Sequence, residues 1–355
     1  MQLVASIIQF TMKKPTIYTL AKELGTSPST VSRALNNSPK ISEARRREIK
    51  ELAQRRGFKL RDFAPRLTNI CVLVCTGTND ETIFSDYTDQ VINGVNRYCN
   101  EQDLELSIYS SPREKLNSID VVKELFRRNV DGVIVLNANN KCSFIEQIEK
   151  EKLPCCCALS GNSQFPNNIL SVNNQAPAQK AVDYLIQLGH RHIGFLYSAP
   201  NNQAHLDRLS GYQTALEAAG IPFREEYVPD MPSSPETTGI EYGFQAAARL
   251  VDEHPEMTAL FAASTDLATG ARSAFYRKGL TVPENISLIG CDDNPHAEYF
   301  CPPLTVVDIP NFRLGQSAAI WVHRMIEGDR SGKAPQEPWM EGRLIIRETT
   351  APPHG

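Results

Sequence analysis

Apolar residues along this chain keep two different rhythms, and the change comes near residue 69. In the first part they recur at i, i+3, i+4 and i+7: Ile17, Leu20, Ala21 and Leu24 share one face that must be buried against a partner. Thr16 stands before that face as a helix cap, and Gly25 stands after it, where an unusual backbone conformation is easiest for glycine. Ser27 and Pro28 then supply a capping hydroxyl and a proline at the first position of a second helix. Val31, Ala34 and Leu35 form its apolar side, while Ser29, Ser32, Arg33 and Asn36 fall on the opposite side. A polar loop, NNSPK, leads to Ser42, which opens a third helix with Ile49, Leu52 and Ala53 as its seam and Gly57 as its stop.

From Asn69 onward, short β-rich runs alternate with amphipathic stretches. NICVLVC, LELSIYS, DGVIVLN and LPCCCAL are separated by helical patterns at 89–100, 120–128 and 144–150. This alternation predicts right-handed βαβ units and a parallel sheet. It then repeats: HIGFLYS, the Val228 region, TALFAAS and ISLIGC are strands, with helices at 208–219, 238–252 and 266–277. A helix at 176–188 leads into the second unit and one at 312–327 leads back. The predicted fold is an all-α helix-turn-helix head on an α/β body of two doubly wound lobes, with a ligand cleft at the carboxyl ends of both sheets.

Composition adds a division of charge. The chain has 355 residues, 41% of them hydrophobic, enough for more than one core. Residues 13–67 hold 14 Lys+Arg against 5 Asp+Glu, while the residues after 67 hold 23 against 36. A net charge of −4 therefore conceals a basic head on an acidic body, the asymmetry of a nucleic-acid-binding module joined to a domain with another task. No apolar run approaches the roughly 20 residues needed to span a bilayer, which excludes membrane insertion. MQLVASIIQFT is apolar but has no basic residue before it, so it is a poor signal peptide.

The nine cysteines include no Cys-x-x-Cys pair, are odd in number and sit mostly inside apolar runs, where a thiol acts as a small hydrophobe. A reduced cytoplasm follows, without a metal or disulfide framework. Cys155, Cys156 and Cys157 alternate along a buried strand and cannot all be exposed, which speaks against a redox sensor. Phosphate-loop, dinucleotide-binding and nucleophile-elbow motifs are absent, and the adjacent Asp292 and Asp293 alternate faces, so no enzyme and no cofactor is expected.

The polar side of the second helix suits a major groove: small hydroxyls allow close approach to phosphates, and an Arg can fork onto guanine. A solvated surface helix is the other reading, and the same choice holds for Arg45–Arg47 in the third helix. The run TSPSTVSRALN, followed by a third helix and GFKLRDFAPRL, resembles the N-terminal domain of the lactose/galactose repressor (LacI/GalR) family. That family's domain usually ends Gly-Tyr-x-Pro-Asn-x-x-Ala-Arg-x-Leu. LIQLGHRHIGFL, RLSGYQTAL, STDLATGARSAFYRKGLTVPENISLIGCDD, PPLTVVD and EGRLIIRETTAPP resemble the periplasmic-binding-protein-like core of the same family. Together the likeness covers nearly all of residues 14–352.

The resemblance implies DNA contacts from Thr16, Ser27, Ser29, Thr30, Ser32, Arg33 and Asn36. It divides the chain into a leading 1–13, a DNA-binding domain at 14–59, a hinge at 60–68 and an effector-binding, dimerising body at 69–355. Met12 begins MKKPTIYTLAKEL, where members of the family commonly start, so residues before it are an upstream extension or a short arm. In the family the hinge forms a short helix on DNA and levers a leucine into the minor groove; Ala64 and Leu67 hold those positions here. Leu60 and Arg61 replace the usual Pro-Asn, and Pro65 replaces a basic residue. Proline inside a helix costs about 3 kcal/mol, so the hinge is shortened, restarted at Pro65, or not helical.

For the body, the resemblance places an effector arginine at Arg208 and an effector carboxylate at Asp292. Asp266 lies where the family has Asn-Asp, with Thr265 in place of the Asn, and Tyr87 and Thr88 lie at the cleft rim. The plainer readings are that Asp266 caps its helix, that Arg208 or Asp292 pairs in a lobe interface, and that Tyr87 packs. His190 reads as a structural turn residue. The implied function is a sequence-specific transcription regulator, a repressor, responding to a small molecule such as a sugar or its derivative. A homodimer would set two recognition helices one DNA turn, roughly 34 Å, apart on a near-palindromic operator. The tail APPHG offers no heptads for a tetramer. A solute-binding protein of the same fold would explain the body but not the basic head.

Overall fold

The computed structural model describes residues 16–35, 41–56, 58, 67–76, 86–138, 141–158, 169–198, 203–229, 239–329 and 342–354. The chain divides into two compact units, Met1–Leu67 and Thr68–Gly355.

In the first unit, α1 (Ile17–Glu23), α2 (Pro28–Leu35) and α3 (Glu43–Arg55) enclose a core of Leu20, Ala21, Val31, Ala34, Leu35, Ile49 and Ala53. Thr16 and Thr19 cap α1 reciprocally: each hydroxyl accepts the other residue's backbone N–H, at 3.2 and 2.8 Å. At the other end Gly25 has φ +57°, and the Thr26 N–H reaches Ala21 O while the Gly25 N–H reaches Lys22 O. These two bonds satisfy carbonyls that a helix end would leave open. Arg45 donates to Leu24 O at 2.9 Å and to Glu48, Arg46 donates to Ile41 O, and Arg47 pairs with Glu51. Arg45 therefore ties α3 to the end of α1, while Arg46 bonds to the lead-in of α3 and Arg47 bonds within that helix.

The second unit begins with β1 (Asn69–Thr76), α4 (Asp86–Glu101), β2 (Glu105–Pro112), α5 (Arg113–Ser118), α6 (Val121–Arg127), β3 (Gly132–Leu136), α7 (Phe144–Lys150), β4 (Cys155–Ala158) and β5 (Ile169–Leu170). Its five strands are parallel in the order β2-β1-β3-β4-β5. β1, β3 and β4 are buried throughout, which is why they read as unbroken apolar runs. The chain then enters a second lobe: α8 (Gln175–Gln187), β6 (Ile193–Leu196), α9 (Gln203–Ala218), α10 (Ile240–Glu253), β7 (Ala259–Ala262), α11 (Thr265–Arg277), β8 (Ser287–Cys291), α12 (Pro295–Glu298) and β9 (Thr305–Asp308). After β9, α13 (Asn311–Ile326) returns to pack on α4 and the first sheet, and β10 (Arg343–Ile345) closes the second sheet antiparallel to β9. That sheet runs β10-β9-β8-β7-β6.

One expected strand is not there. The Val228 region is a 3-10 turn, Glu225–Tyr227, followed by a bend. Pro222 and Pro229 bracket it and cannot donate to a ladder. Tyr227 anchors the turn instead, with its hydroxyl on His192 Nδ1 and on Glu256, both at 2.8 Å. Eight of the nine cysteines are buried, Cys301 being the exposed one. Buried His190 bonds Thr258, Ser287 and Ala351 O, pinning the C-terminal segment to the second sheet. Among the described residues no helix is long and apolar enough to cross a membrane, and no cluster of His, Cys, Asp and Glu is arranged to hold a metal.

Candidate functional site

On the head, Thr16 is exposed with its hydroxyl in the α1 cap, and Ser27 caps α2 by accepting the Thr30 N–H at 3.1 Å. The Ser27 and Thr30 hydroxyls also lie 2.8 Å apart. Ser29, Ser32 and Arg33 lie within α2, whose Val31, Ala34 and Leu35 enter the core. The side chains of those three, and Asn36 and Ala64 entirely, fall outside the described residues. Leu67 is exposed at the end of the unit.

The body concentrates its polar chemistry on Asp292. This residue follows β8 with φ +69°, a left-handed conformation that Asp tolerates better than most side chains. The holding groups are near: its N–H donates to Val307 O at 2.8 Å, and the Thr265 hydroxyl donates to the Cys291 and Asp292 carbonyls at 2.7 and 2.8 Å. Thr265, which takes the place of the family's asparagine, thus fixes the turn that presents the carboxylate.

Facing it is Arg208, only 4% exposed, against 6% for Asp292. Arg208 Nη1 and Nη2 donate to the two carboxylate oxygens at 3.3 and 3.2 Å, and Nη1 also donates to Ala263 O at 2.5 Å. Arg208 Nε donates to Asn174 Oδ1 at 3.2 Å, and Asn311 Nδ2 donates to Asp292 Oδ1 at 3.1 Å. Asn311 Oδ1 is buried without a partner among the described residues. Burial, the largest single influence, pulls the Arg208 pKa down, but Asp292, Cys291 and Asp207 together more than offset it and leave the guanidinium more firmly charged than usual.

Three further groups respond to the same pair. Burial and then the Asp292 charge push the Asp266 carboxyl upward, with His296 opposing. Burial and Asp292 also raise the phenol of Tyr87, which stands on α4 of the first lobe with its hydroxyl directed to Ala158 O at 3.5 Å. Burial, with Arg208 beside it, holds His205 down at about 3, so it is neutral; its Nδ1 accepts the Ser198 N–H at 3.4 Å. Arg208 and Asp292 are thereby brought together, the Asp292 charge is felt at Asp266 and at Tyr87, and Thr88 is buried on the same helix as Tyr87. Gln90 of α4 adds a direct tie between lobes, donating to Asp293 O at 3.1 Å, while Arg347 holds the Asp293 carboxylate.

Two expectations need correction. Arg208 is not at a helix start, because α9 begins at Gln203 and reaches Arg208 in its second turn. Asp266 is not the cap of α11, because Ser264 accepts the Leu267 N–H in that role. Asn174, His205 and Asn311 are not among the residues to which the sequence points. The one signal for Asn174 is the doublet Asn173-Asn174 before α8, where a single capping residue suffices.

Residues 16–59 match the family of bacterial regulatory proteins, lacI family, and residues 182–350 match the periplasmic binding protein-like domain. The probable HTH-type transcriptional repressor ExuR of Bacillus subtilis (strain 168) is 33% identical over 301 residues, 83% of this chain and 86% of that one. The chain belongs to the lacI family of bacterial regulatory proteins. It is a DNA-binding transcriptional regulator. A transcriptional regulator CelR-cellobiose complex is similar over 94% of this lacI-family chain and 99% of its own, at 26% identity and a TM-score of 0.68. The lac repressor dimer bound to operator and the anti-inducer ONPF shares the fold at a TM-score of 0.70 and 20% identity, over 96% of this chain and 100% of its own.

Proposed function

We propose that this regulator is a cytoplasmic, non-enzymatic repressor that binds a near-palindromic operator as a homodimer and answers to a sugar or sugar derivative held at the Arg208–Asp292 pair. The buried Arg208–Asp292 pair at the end of β8 carries this reading, supported by the Asp292 charge being felt at Asp266 and, from the other lobe, at Tyr87. A buried guanidinium and a buried carboxylate side by side offer donors and acceptors to the vicinal hydroxyls of a sugar, and Tyr87 offers an aromatic face. CelR, a relative of the same fold, is known with cellobiose bound, which favours a saccharide. By linkage, the ligand alters DNA affinity only as far as its own affinity differs between the two lobe arrangements.

A thermal-shift screen of the full chain with cellobiose, ribose, other sugars and nucleosides tests the effector. A sugar present at 100 times its Kd is expected to stabilise the body by about 2.7 kcal/mol; a response to nucleosides with none to sugars would overturn the saccharide reading. On the head, Ser29, Ser32, Arg33 and Asn36 read bases and phosphates, with Thr16, Ser27 and Thr30 setting the helix ends. Arg33→Ala is expected to weaken operator binding by about 1–3 kcal/mol and to relax preference at one base pair. Competition binding against single-base operator variants checks this, since a uniform loss over all sequences would reduce Arg33 to a phosphate contact.

A further inference from the structure

The Arg208–Asp292 pair does not stand alone in the second lobe. Each partner is hydrogen-bonded by an asparagine, and both asparagines stand where the chain passes between lobes. Asn174 lies on the passage from β5 of the first sheet to α8 of the second lobe. Asn311 lies on the passage from β9 of the second sheet to α13, which packs on α4 and the first sheet.

Each asparagine commits one end of its amide to the buried pair. Asn174 occupies the cap position of α8 but makes no side-chain cap bond. The cap is supplied by Asn173, whose Oδ1 accepts the Gln175 and Ala176 N–H groups at 3.0 and 3.1 Å. Asn174 Oδ1 turns to Arg208 Nε, and its Nδ2 donates to Val172 O within the same passage. Asn311 is 1% exposed; Asp292 is the one described partner of its side chain, and its Oδ1 has none. Asn311 thus has one charge-assisted bond to the pair, and Asn174 bridges Arg208 to the Val172 backbone, so each passage is tied to the pair through a strong hydrogen bond.

We propose that Asn174 and Asn311 are positioning residues that couple the Arg208–Asp292 pair to the two passages between lobes. A ligand that draws the guanidinium or the carboxylate toward itself then shifts both passages at once. This rests on the effector site placed at that pair above, and names the covalent segments through which its occupation reaches the other lobe.

Amide hydrogen exchange on the full chain tests the coupling without any ligand. Asp292→Asn keeps the side-chain volume but removes the charge, and Arg208→Lys serves as a second perturbation if the first fails to fold. Either is expected to speed exchange at 171–176 and at 309–314 about tenfold, while β7, in the core of the second lobe, is unchanged. In an Asn174→Ala background the added change at 171–176 disappears and that at 309–314 persists; in Asn311→Ala the reverse holds. Asparagines that merely stabilise their own segments would instead give additive rates in the double variants. Additive rates, unaltered passages, or equal acceleration across the whole lobe would overturn the proposal. A sugar-induced rise in melting temperature alongside uncoupled passages would retire this inference and leave the effector reading standing. Coupled passages in a protein that no sugar stabilises would support the inference and remove that reading.

Discussion

Replacing Arg208 with Ala is expected to destabilise the body by about 3–5 kcal/mol and to abolish its response to effector. The reason lies in what remains. Asp292 is buried, and without the guanidinium its carboxylate keeps Asn311 Nδ2 as its one described side-chain donor. Asn174 Oδ1 and Ala263 O lose their Arg208 donors as well. The penalty therefore belongs to the stranded charge more than to the attraction that is lost. Replacing both partners, as Arg208→Met with Asp292→Asn, is expected to recover part of the stability, because no buried charge is left, yet not the effector response. Urea unfolding of the two single variants and the double variant separates these outcomes. Comparable losses in all three would mean that packing, not charge, governs the site. Effector response retained in the double variant would remove the pair from the binding site.

Much of this molecule is legible along the chain because the determinants are local. Thr16, Gly25, Ser27 and Pro28 each dictate backbone conformation within a few residues, and the capping of α1 and α2 follows from them. The βαβ alternation is equally local, so the two sheets can be anticipated. What escapes is whatever depends on distant partners. β5 is two residues long and exists because β4 offers it an edge. The short helix α5, at the end of β2, has no periodic run long enough to announce it. At the candidate site, Arg208 and Asp292 stand out through family resemblance, but the asparagines that grip them lie 34 and 19 residues away in sequence, and their type does not distinguish them from surface residues. Thr265 stands out along the chain only as a replacement for the family's Asn, and the fold shows its hydroxyl bracing the Asp292 turn.

Gly315→Ala is expected to cost about 3 kcal/mol or more, through a contact that side chains cannot relieve. α13 crosses α4 with backbone against backbone: a Cβ on Gly315 would fall 2.0 Å from Val91 O, and one on Gly94 would fall 2.0 Å from Phe312 O. Ordinary overpacking costs about 1–3 kcal/mol because neighbouring rotamers yield. Here the obstacle is main chain, so the helices must separate and empty the contact that holds α13 to the first lobe. Gly220→Ala is the control. Gly220 has φ +68° with nothing within 4 Å of the added carbon, so it should lose only about 1 kcal/mol of backbone strain. Chemical denaturation of both variants ranks the two mechanisms, and an equal loss would refute the clash. The consequence for control is specific, because Asn311 is the first residue of α13. A helix displaced from α4 carries that amide away from Asp292, so Gly315→Ala should blunt the effector response even at temperatures where the variant remains folded. Full response in folded Gly315→Ala protein would show that the α4–α13 contact stabilises the lobe without setting the geometry that the effector reads.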